Sequence, residues 1–374
     1  MMWWVGLCLV VAIWAYYVSS AARRPELHYL ATAEHQRLLQ QIPQLQQRFW
    51  VTPWLFNGYL QLLWLGLRKR FAAPLQYDRS EPMVMADGGT TALHWLDRGV
   101  SDDTPIIIVL HTITGSAHSM RGLMQDLQQQ TGWRMVLCER RGHGELALTS
   151  AKFNTMGDVE DLVEHVVAIE AQFPSAPLYM MGVSAGTGLL TRYLVQQGQN
   201  TPVKAAFSYC PGYDIEVAFS RAAPWLSKKM ARKLIQQFVT PNETVLLNHA
   251  TALEAPDDYH ALASAQSLQQ FQERLYRFSG YDSLADYMAH CNPVNGMENI
   301  AIPVMVLNAE DDPICAADNV RDFQAMLSQL PEVMLVITRR GTHCAHFSGI
   351  WPKPWAHQLA GRYFLVCQQA SGSD

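Results

Sequence analysis

Short apolar runs separated by amphipathic stretches dominate residues 80–368 of the chain. Pro82–Ala86 and Thr91–Leu96 flank Asp87-Gly88-Gly89, which predicts a hairpin. Ile106–His111 (IIIVLH) and Arg134–Glu139 (RMVLCE) are unbroken enough to be strands buried on both faces, with a helix over Arg121–Gln130 between them. Val159, Leu162, Val163, Val166 and Val167 recur at helical spacing. Leu178–Val183 predicts another strand, followed by a helix through Leu189, Leu190, Tyr193 and Leu194 that Gly198 stops. Lys204–Cys210, Val304–Leu307 and Val333–Thr338 are further strands, and Trp355–Cys367 is a closing helix. Strands alternating with helices predict an α/β fold, a mainly parallel sheet with helices on both faces. Residues 213–300 break the alternation, being polar and helical in character, and are expected to cap the sheet.

Ahead of this domain the pattern changes. Residues 1–22 carry no charge, and Arg23-Arg24-Pro25 closes the run. At 1.5 Å per residue such a helix is about 33 Å long, enough to cross a bilayer. Trp3, Trp4, Trp14, Tyr16 and Tyr17 lie toward its two ends, as interfacial aromatics do. An uncleaved membrane anchor is the expectation, because no basic stretch precedes the run as it would in a signal peptide. Arg23 and Arg24 favour a cytosolic body. Residues 23–79 are then expected as a juxtamembrane helical segment, broken at Pro43. Within it FWVTPWLFNGYLQLLWLGL, residues 49–67, is apolar but interrupted by Pro53, Asn57, Gly58 and Gln61. Asn57 and Gln61 at a spacing of four suit a helix lying on lipid or packed on the body.

The strand ending at Val183 runs into Gly182-Val183-Ser184-Ala185-Gly186, a G-x-S-x-G between strand and helix. In that context the serine stands on a sharp elbow with its hydroxyl exposed, and the Ala185 N–H points at an incoming carbonyl oxygen. A serine hydroxyl needs a histidine to take its proton and an acid to orient the ring. In the α/β-hydrolase order the acid and then the histidine follow the serine, each on a loop after a strand. After VMVL comes Asn308-Ala309-Glu310-Asp311-Asp312-Pro313, in which Asp312 is preferred to Asp311. After VMLVITRR comes Gly341-Thr342-His343-Cys344-Ala345-His346, in which His343 is preferred to His346. The loop after IIIVLH supplies the Ile113 N–H as the second oxyanion donor, beside that of Ala185. His111, Arg140, Arg141 and His143 are expected to tie loops together at this end of the sheet.

Composition removes other classes. Of 374 residues, 49% are hydrophobic and the net charge is −5, with no basic block, so nucleic acid is not an expected partner. Seven cysteines, odd in number and without a CxxC pair, predict neither a disulfide framework nor a zinc site. No metal or other cofactor is expected.

The chain resembles the type-4 AB-hydrolase family of membrane-anchored α/β-hydrolase-domain proteins across residues 15 to 367. The resemblance is carried by ADGGTTALHWL, HTITG, RRGHGE, GDVEDL, GVSAG, FSGYDSLADY, NPVNGMENIAIPVMVLNAEDDP and GTHCAHFSGIWP. It implies an α/β-hydrolase fold with a Ser184–Asp312–His343 triad that cleaves acyl esters of lipids, phospholipids and acylglycerols among them. It also implies one N-terminal anchor in an endomembrane such as the endoplasmic reticulum, with the body on the lumenal side, against the charge argument above. No protein partner is implied. An acyltransferase using the same triad, or a silent lipid-binding protein on the same fold, are the alternatives. Three positions depart from the family: Thr112 replaces a glycine, and Thr342 and Ala345 replace glycines around His343.

Overall fold

A computed structural model describes residues 2–153 and 156–371, and its centre is a nine-stranded sheet. The strands are β1 (Glu26–Tyr29), β2 (Arg79–Val84), β3 (Thr90–Leu96), β4 (Ile106–Leu110), β5 (Arg134–Glu139), β6 (Leu178–Val183), β7 (Val203–Tyr209), β8 (Val304–Ala309) and β9 (Val333–Thr338). They lie in the order β1-β9-β8-β7-β6-β4-β5-β3-β2. From β9 across to β5 every pairing is parallel, while β1 on one flank and β3 and β2 on the other run antiparallel. Strand pleating sends alternate residues to opposite faces. Ile107, Val109, Tyr179 and Met181 therefore join one core, and Ile106, Ile108, Leu178 and Met180 the other. Both faces are covered, which is why these strands read as continuous apolar runs.

The helices are α1 (Met2–Tyr16), α2 (Ala33–Gln41), α3 (Gly58–Phe71), α4 (Ala117–Thr131), α5 (Glu160–Gln172) and α6 (Ala185–Gln197). Beyond β7 come α7 (Ile215–Ser220), α8 (Pro224–Leu234), α9 (Glu243–Ala252), α10 (Pro256–Ala263), α11 (Leu268–Glu273) and α12 (Leu284–Cys291). Next are α13 (Ala317–Leu327) and, last, α14 (Trp355–Ser371). Helices α4 and α14 pack on one face, and α5, α6 and α13 on the other. Residues of α7 to α11 form a third core of their own with Phe153, Met156, Ile113 and Ala185. Apolar side chains from the insertion thus rest directly on the loop after β4 and the start of α6.

The amino-terminal segment departs from expectation at two points. Residues 26–29 are a strand, not helix, pairing Glu26 with Ile337 through Tyr29 with Met334. Leu27 and Tyr29 pack on the sheet core, and the free edge of β9 supplies the hydrogen bonds that four residues could not supply alone. Asn57 does not share a helical face with Gln61. It precedes α3 as its cap, its side chain accepting from the Tyr59 N–H at 2.8 Å. Gln61 is buried, whereas Leu63 (60% exposed), Leu67 and Phe71 (77% exposed) point outward along the same helix. Residues Trp3–Ala21 form one helix long and apolar enough to cross a membrane. Its end meets the body where Trp14 stacks on Trp50, ring centres 6.1 Å apart, and where the Tyr17 hydroxyl donates to the Val51 carbonyl.

Candidate active site

Ser184 sits between β6 and α6 with φ 54° and ψ −119°, a conformation costly for any residue with a side chain. The turn is tight enough to forbid side chains on both flanking glycines. A Cβ on Gly182 would lie 2.6 Å from the Gly186 carbonyl oxygen, and one on Gly186 would lie 2.3 Å from that of Leu110. The Ser184 N–H donates to the Tyr209 carbonyl at 2.9 Å, pinning the elbow to β7.

Two loops at the same end of the sheet reach this serine. His343 Nε2 lies 2.7 Å from Ser184 Oγ, and its Nδ1 lies 2.7 Å from Asp312 Oδ2. The other Asp312 oxygen accepts the N–H groups of Ile314 (2.8 Å) and Cys315 (2.9 Å), which leaves Oδ2 aimed at the ring. Asp312 and His343 are both buried. Burial alone would lower the His343 pKa, but the neighbouring Asp312 carboxylate and the Cys344 sulfur outweigh it and hold the ring well above its usual value.

The two neighbouring alternatives are used differently. Asp311 accepts the Thr342 N–H at 2.8 Å. His346 is enclosed, one ring nitrogen 3.0 Å from the Tyr209 hydroxyl and the other 2.9 Å from Thr338 Oγ1. Burial lowers its pKa to about 3, so it stays neutral. Around His343 the backbone is strained. Thr342 has φ 45° and Cys344 φ 58°, and for a β-branched residue a positive φ is a true outlier. The family's glycine at position 342 would meet that demand without strain.

Thr112 is different, since it lies outside the left-handed region and needs no glycine. Its carbonyl oxygen is held by the Gly115 N–H (2.8 Å), Arg140 Nη2 (2.6 Å) and His111 Nδ1 (2.9 Å). His111 Nε2 in turn accepts the Arg140 N–H at 3.1 Å, which makes Nδ1 the protonated nitrogen. The trans peptide that joins Thr112 to Ile113 carries its N–H opposite that gripped carbonyl, so the Ile113 N–H direction is set from behind. Burial brings the Arg140 pKa down to about 9. His143 Nε2 lies 3.0 Å from the Ile113 carbonyl, and burial lowers its pKa to about 3. Arg141 pairs with Asp87 and Asp161 and anchors the hairpin turn. Among the described residues the N–H groups of Ile113 and Ala185 have no protein acceptor. Both residues line a small apolar cavity of about 30 Å³ beside Ser184, with Met156, Phe219, Met230 and Ile314.

Several neighbours carry no signal in the sequence. The Cys210 sulfur accepts the Cys344 N–H at 3.3 Å, and both cysteines lie beside His343. Burial by itself would raise the Cys344 thiol, but Cys210 and His343 bring it down to about 6. A second cavity, about 160 Å³, opens behind the serine between α3 and α4, reaching Thr112, Val183, Tyr209 and Cys344. Helices α3 and α4 supply most of its lining, joined by single residues of β6, β7, α14 and the loops, and no motif marks them.

Sheet order, nucleophile elbow and a histidine between a serine and a buried aspartate define an α/β-hydrolase. The family described as serine aminopeptidase, S33, matches residues 102–348, and the chain belongs to it. It is 30% identical to Phospholipase ABHD3 of Homo sapiens, the match covering 93% of this chain and 87% of that protein. It is 25% identical to Monoacylglycerol lipase ABHD2 of Homo sapiens, over 97% of this chain and 91% of that protein. With these relatives it falls in the carboxylic-ester-hydrolase branch of the fold. Among solved structures, an esterase from the bacterial hormone-sensitive lipase family shares the fold at TM-score 0.50 and 17% identity, covering 83% of this chain and 90% of that one.

Proposed function

We propose that the chain is a membrane-anchored serine hydrolase that cleaves acyl esters of lipids. The observation that carries this reading is the unbroken relay Asp312–His343–Ser184, with 2.7 Å at each step, beside an apolar cavity. Ser184 attacks the ester carbonyl while His343 Nε2 takes its proton, and Asp312 stabilises the imidazolium that forms. The N–H groups of Ile113 and Ala185 receive the oxyanion. His343 then returns the proton to the leaving alcohol, and water entering by the same relay frees the fatty acid. No step in this scheme calls for a cofactor.

Two surface features support attachment to a bilayer. Helix α1 carries its apolar side chains exposed along its length. The outward face of α3 is apolar as well, and Trp54, Phe56, Ile350 and Trp351 are exposed nearby. Exposed apolar area of this kind, close to a helix of spanning length, fits burial in lipid. It also brings the site rim to the membrane. Gly58 at the start of α3 packs so closely on the acid loop that a Cβ there would lie 2.9 Å from the Asp311 carbonyl oxygen.

Full-length protein reconstituted into vesicles of mixed diacyl lipids is expected to float with them and to release free fatty acid. Added glycerol should not divert the product into new ester. Absence of any acyl loss from the vesicles would sink the hydrolytic reading, and transfer to glycerol would replace it with transacylation.

Arg140 is a positioning residue in this scheme, since it grips the Thr112 carbonyl opposite the Ile113 N–H. Loss of one oxyanion donor typically costs about 10²–10³ in rate. Arg140→Met, which lets that peptide turn, is expected to lower kcat about 10²-fold while KM holds. Steady-state kinetics on a soluble acyl ester reads both terms, and a rise in KM with kcat intact would remove Arg140 from this role.

A further inference from the structure

The end of β7 and the histidine loop are joined by two cysteines that the relay does not use. Cys210 follows β7 and is fully buried, whereas Cys344 follows His343 and is only partly covered. Their sulfur atoms and a ring nitrogen of His343 all lie within 4.8 Å of one another. The contacts are reciprocal. Cys210 Sγ accepts the Cys344 N–H at 3.3 Å and lies 3.8 Å from the Thr342 carbonyl oxygen, while Cys344 Sγ lies 4.0 Å from that of Tyr209. Both residues have a positive φ, 57° and 58°, a left-handed conformation that their surroundings impose.

The two thiols differ in access and in charge. Cys344 borders the cavity of about 160 Å³ between α3 and α4, and Cys210 does not. Burial opposes ionisation of Cys344, but the Cys210 contact and the His343 charge outweigh it and bring the thiol to about 6. Burial first, and then Cys344, pushes the Cys210 thiol well up. An accessible thiolate with a second thiol behind it is the arrangement that hydroperoxides oxidise, because the neighbouring sulfur captures the sulfenic acid formed first.

We infer that Cys210 and Cys344 are a peroxide-oxidised pair whose disulfide moves His343 off its place between Ser184 and Asp312. The site of oxidation stands on the sulfur geometry, and its effect on activity rests on the serine-hydrolase reading above. The Cys344 thiolate attacks one oxygen of hydrogen peroxide, the O–O bond breaks, and the departing hydroxide takes a proton to become water. Cys344 is then a sulfenic acid, oxidised by the two electrons that the peroxide gains. With the Cys344 charge gone, the Cys210 sulfur displaces the hydroxyl, which leaves with the Cys210 proton as a second water. Two thiols and one peroxide thus give one disulfide and two waters. Bond formation brings the sulfurs to about 2 Å and draws the residue after His343 toward the end of β7. The relay spans 2.7 Å at each step, and misplacing a reacting group by about 1 Å can cost about 10²-fold in rate. A thiol reductant reverses the change by exchange.

The test treats reduced, full-length protein in detergent micelles with hydrogen peroxide, blocks the remaining thiols with N-ethylmaleimide and maps the peptides by mass spectrometry. A Cys210–Cys344 cross-link is expected, with hydrolysis of a soluble acyl ester lowered about 10²-fold and restored by dithiothreitol. In Cys210→Ser the cross-link cannot form, and a dimedone adduct should accumulate at Cys344. Cys344→Ser, shown folded by thermal melting, should keep its own untreated rate under peroxide. Cys8→Ser removes the exposed cysteine and should respond as wild type does. Equal inactivation of Cys344→Ser and wild type overturns the proposal. So does a cross-link from Cys344 to Cys315 in place of Cys210, or a complete Cys210–Cys344 cross-link that leaves the rate unchanged. A Cys210–Cys344 cross-link in protein that hydrolyses no ester even when reduced would retain the oxidation site and sink the hydrolase reading.

Discussion

Ser184→Ala is expected to lower the rate of ester cleavage on the order of 10⁶-fold, the scale seen when a triad nucleophile is removed. Labelling of the protein by a fluorophosphonate should disappear with it. The size follows from the mechanism. Without Oγ there is nothing for His343 to activate and no acyl-enzyme, and only the oxyanion donors and substrate binding remain, worth about 10³–10⁴ over water. The fold should survive, because the backbone of the elbow is held by the Ser184 N–H to Tyr209 bond and by the glycine contacts, not by the hydroxyl. Labelling that persisted at another residue, or an activity loss below about 10²-fold, would mean that the nucleophile lies elsewhere.

Most of the sheet is legible in the sequence because six of its strands are buried on both faces. Ile106–Leu110 and residues 333–337 are apolar at every position, and their shortness and β-branched content mark them as strands and not as part of a buried helix. Residues 26–29 are the opposite case. Glu-Leu-His-Tyr has no intrinsic strength as a strand, and its pairing with β9 is a tertiary event. Asn57 shows a related limit: spacing suggested a shared face with Gln61, but capping removed it from the helix altogether. The three relay residues follow from loop order after recognisable strands. Their supports do not. The grip of Arg140 on the Thr112 carbonyl joins residues 28 positions apart through backbone geometry, and the Cys210–Cys344 contact spans 134.

The strained histidine loop connects these levels. Thr342 at φ 45° carries a conformation its own side chain opposes, and it is held there from outside. Its N–H is fixed by Asp311, and Gly58 of α3 lies against both residues, its Cβ position 3.1 Å from Thr342 Oγ1. The helix whose outer face is apolar therefore also buttresses the loop that carries His343. Movement of α3 would reach the relay through a single layer of contacts.

Two adjacent aspartates make the sharpest test of the site, because one change has two opposite expectations at neighbouring positions. Asp312→Asn is expected to lower kcat about 10⁴-fold, as loss of a triad acid does when it leaves the imidazole in the wrong tautomer. An amide nitrogen facing His343 Nδ1 favours the proton on Nε2, where it cannot accept from Ser184. The remaining activity should also change its pH dependence. The Asp312 carboxylate raises the His343 pKa, so its removal lowers that pKa, and the acid limb of the kcat/KM profile moves to lower pH. Asp311→Asn has no such route. Its carboxylate accepts the Thr342 N–H at 2.8 Å, and an asparagine carbonyl oxygen can accept the same bond. A loss of less than about 10-fold is expected, without the 10⁴-fold penalty for a lost triad acid. Parallel pH–rate profiles of the two variants decide between the residues. A large loss in Asp311→Asn with Asp312→Asn near wild type would transfer the orienting role to the other carboxylate and require the loop to be repositioned in the working enzyme.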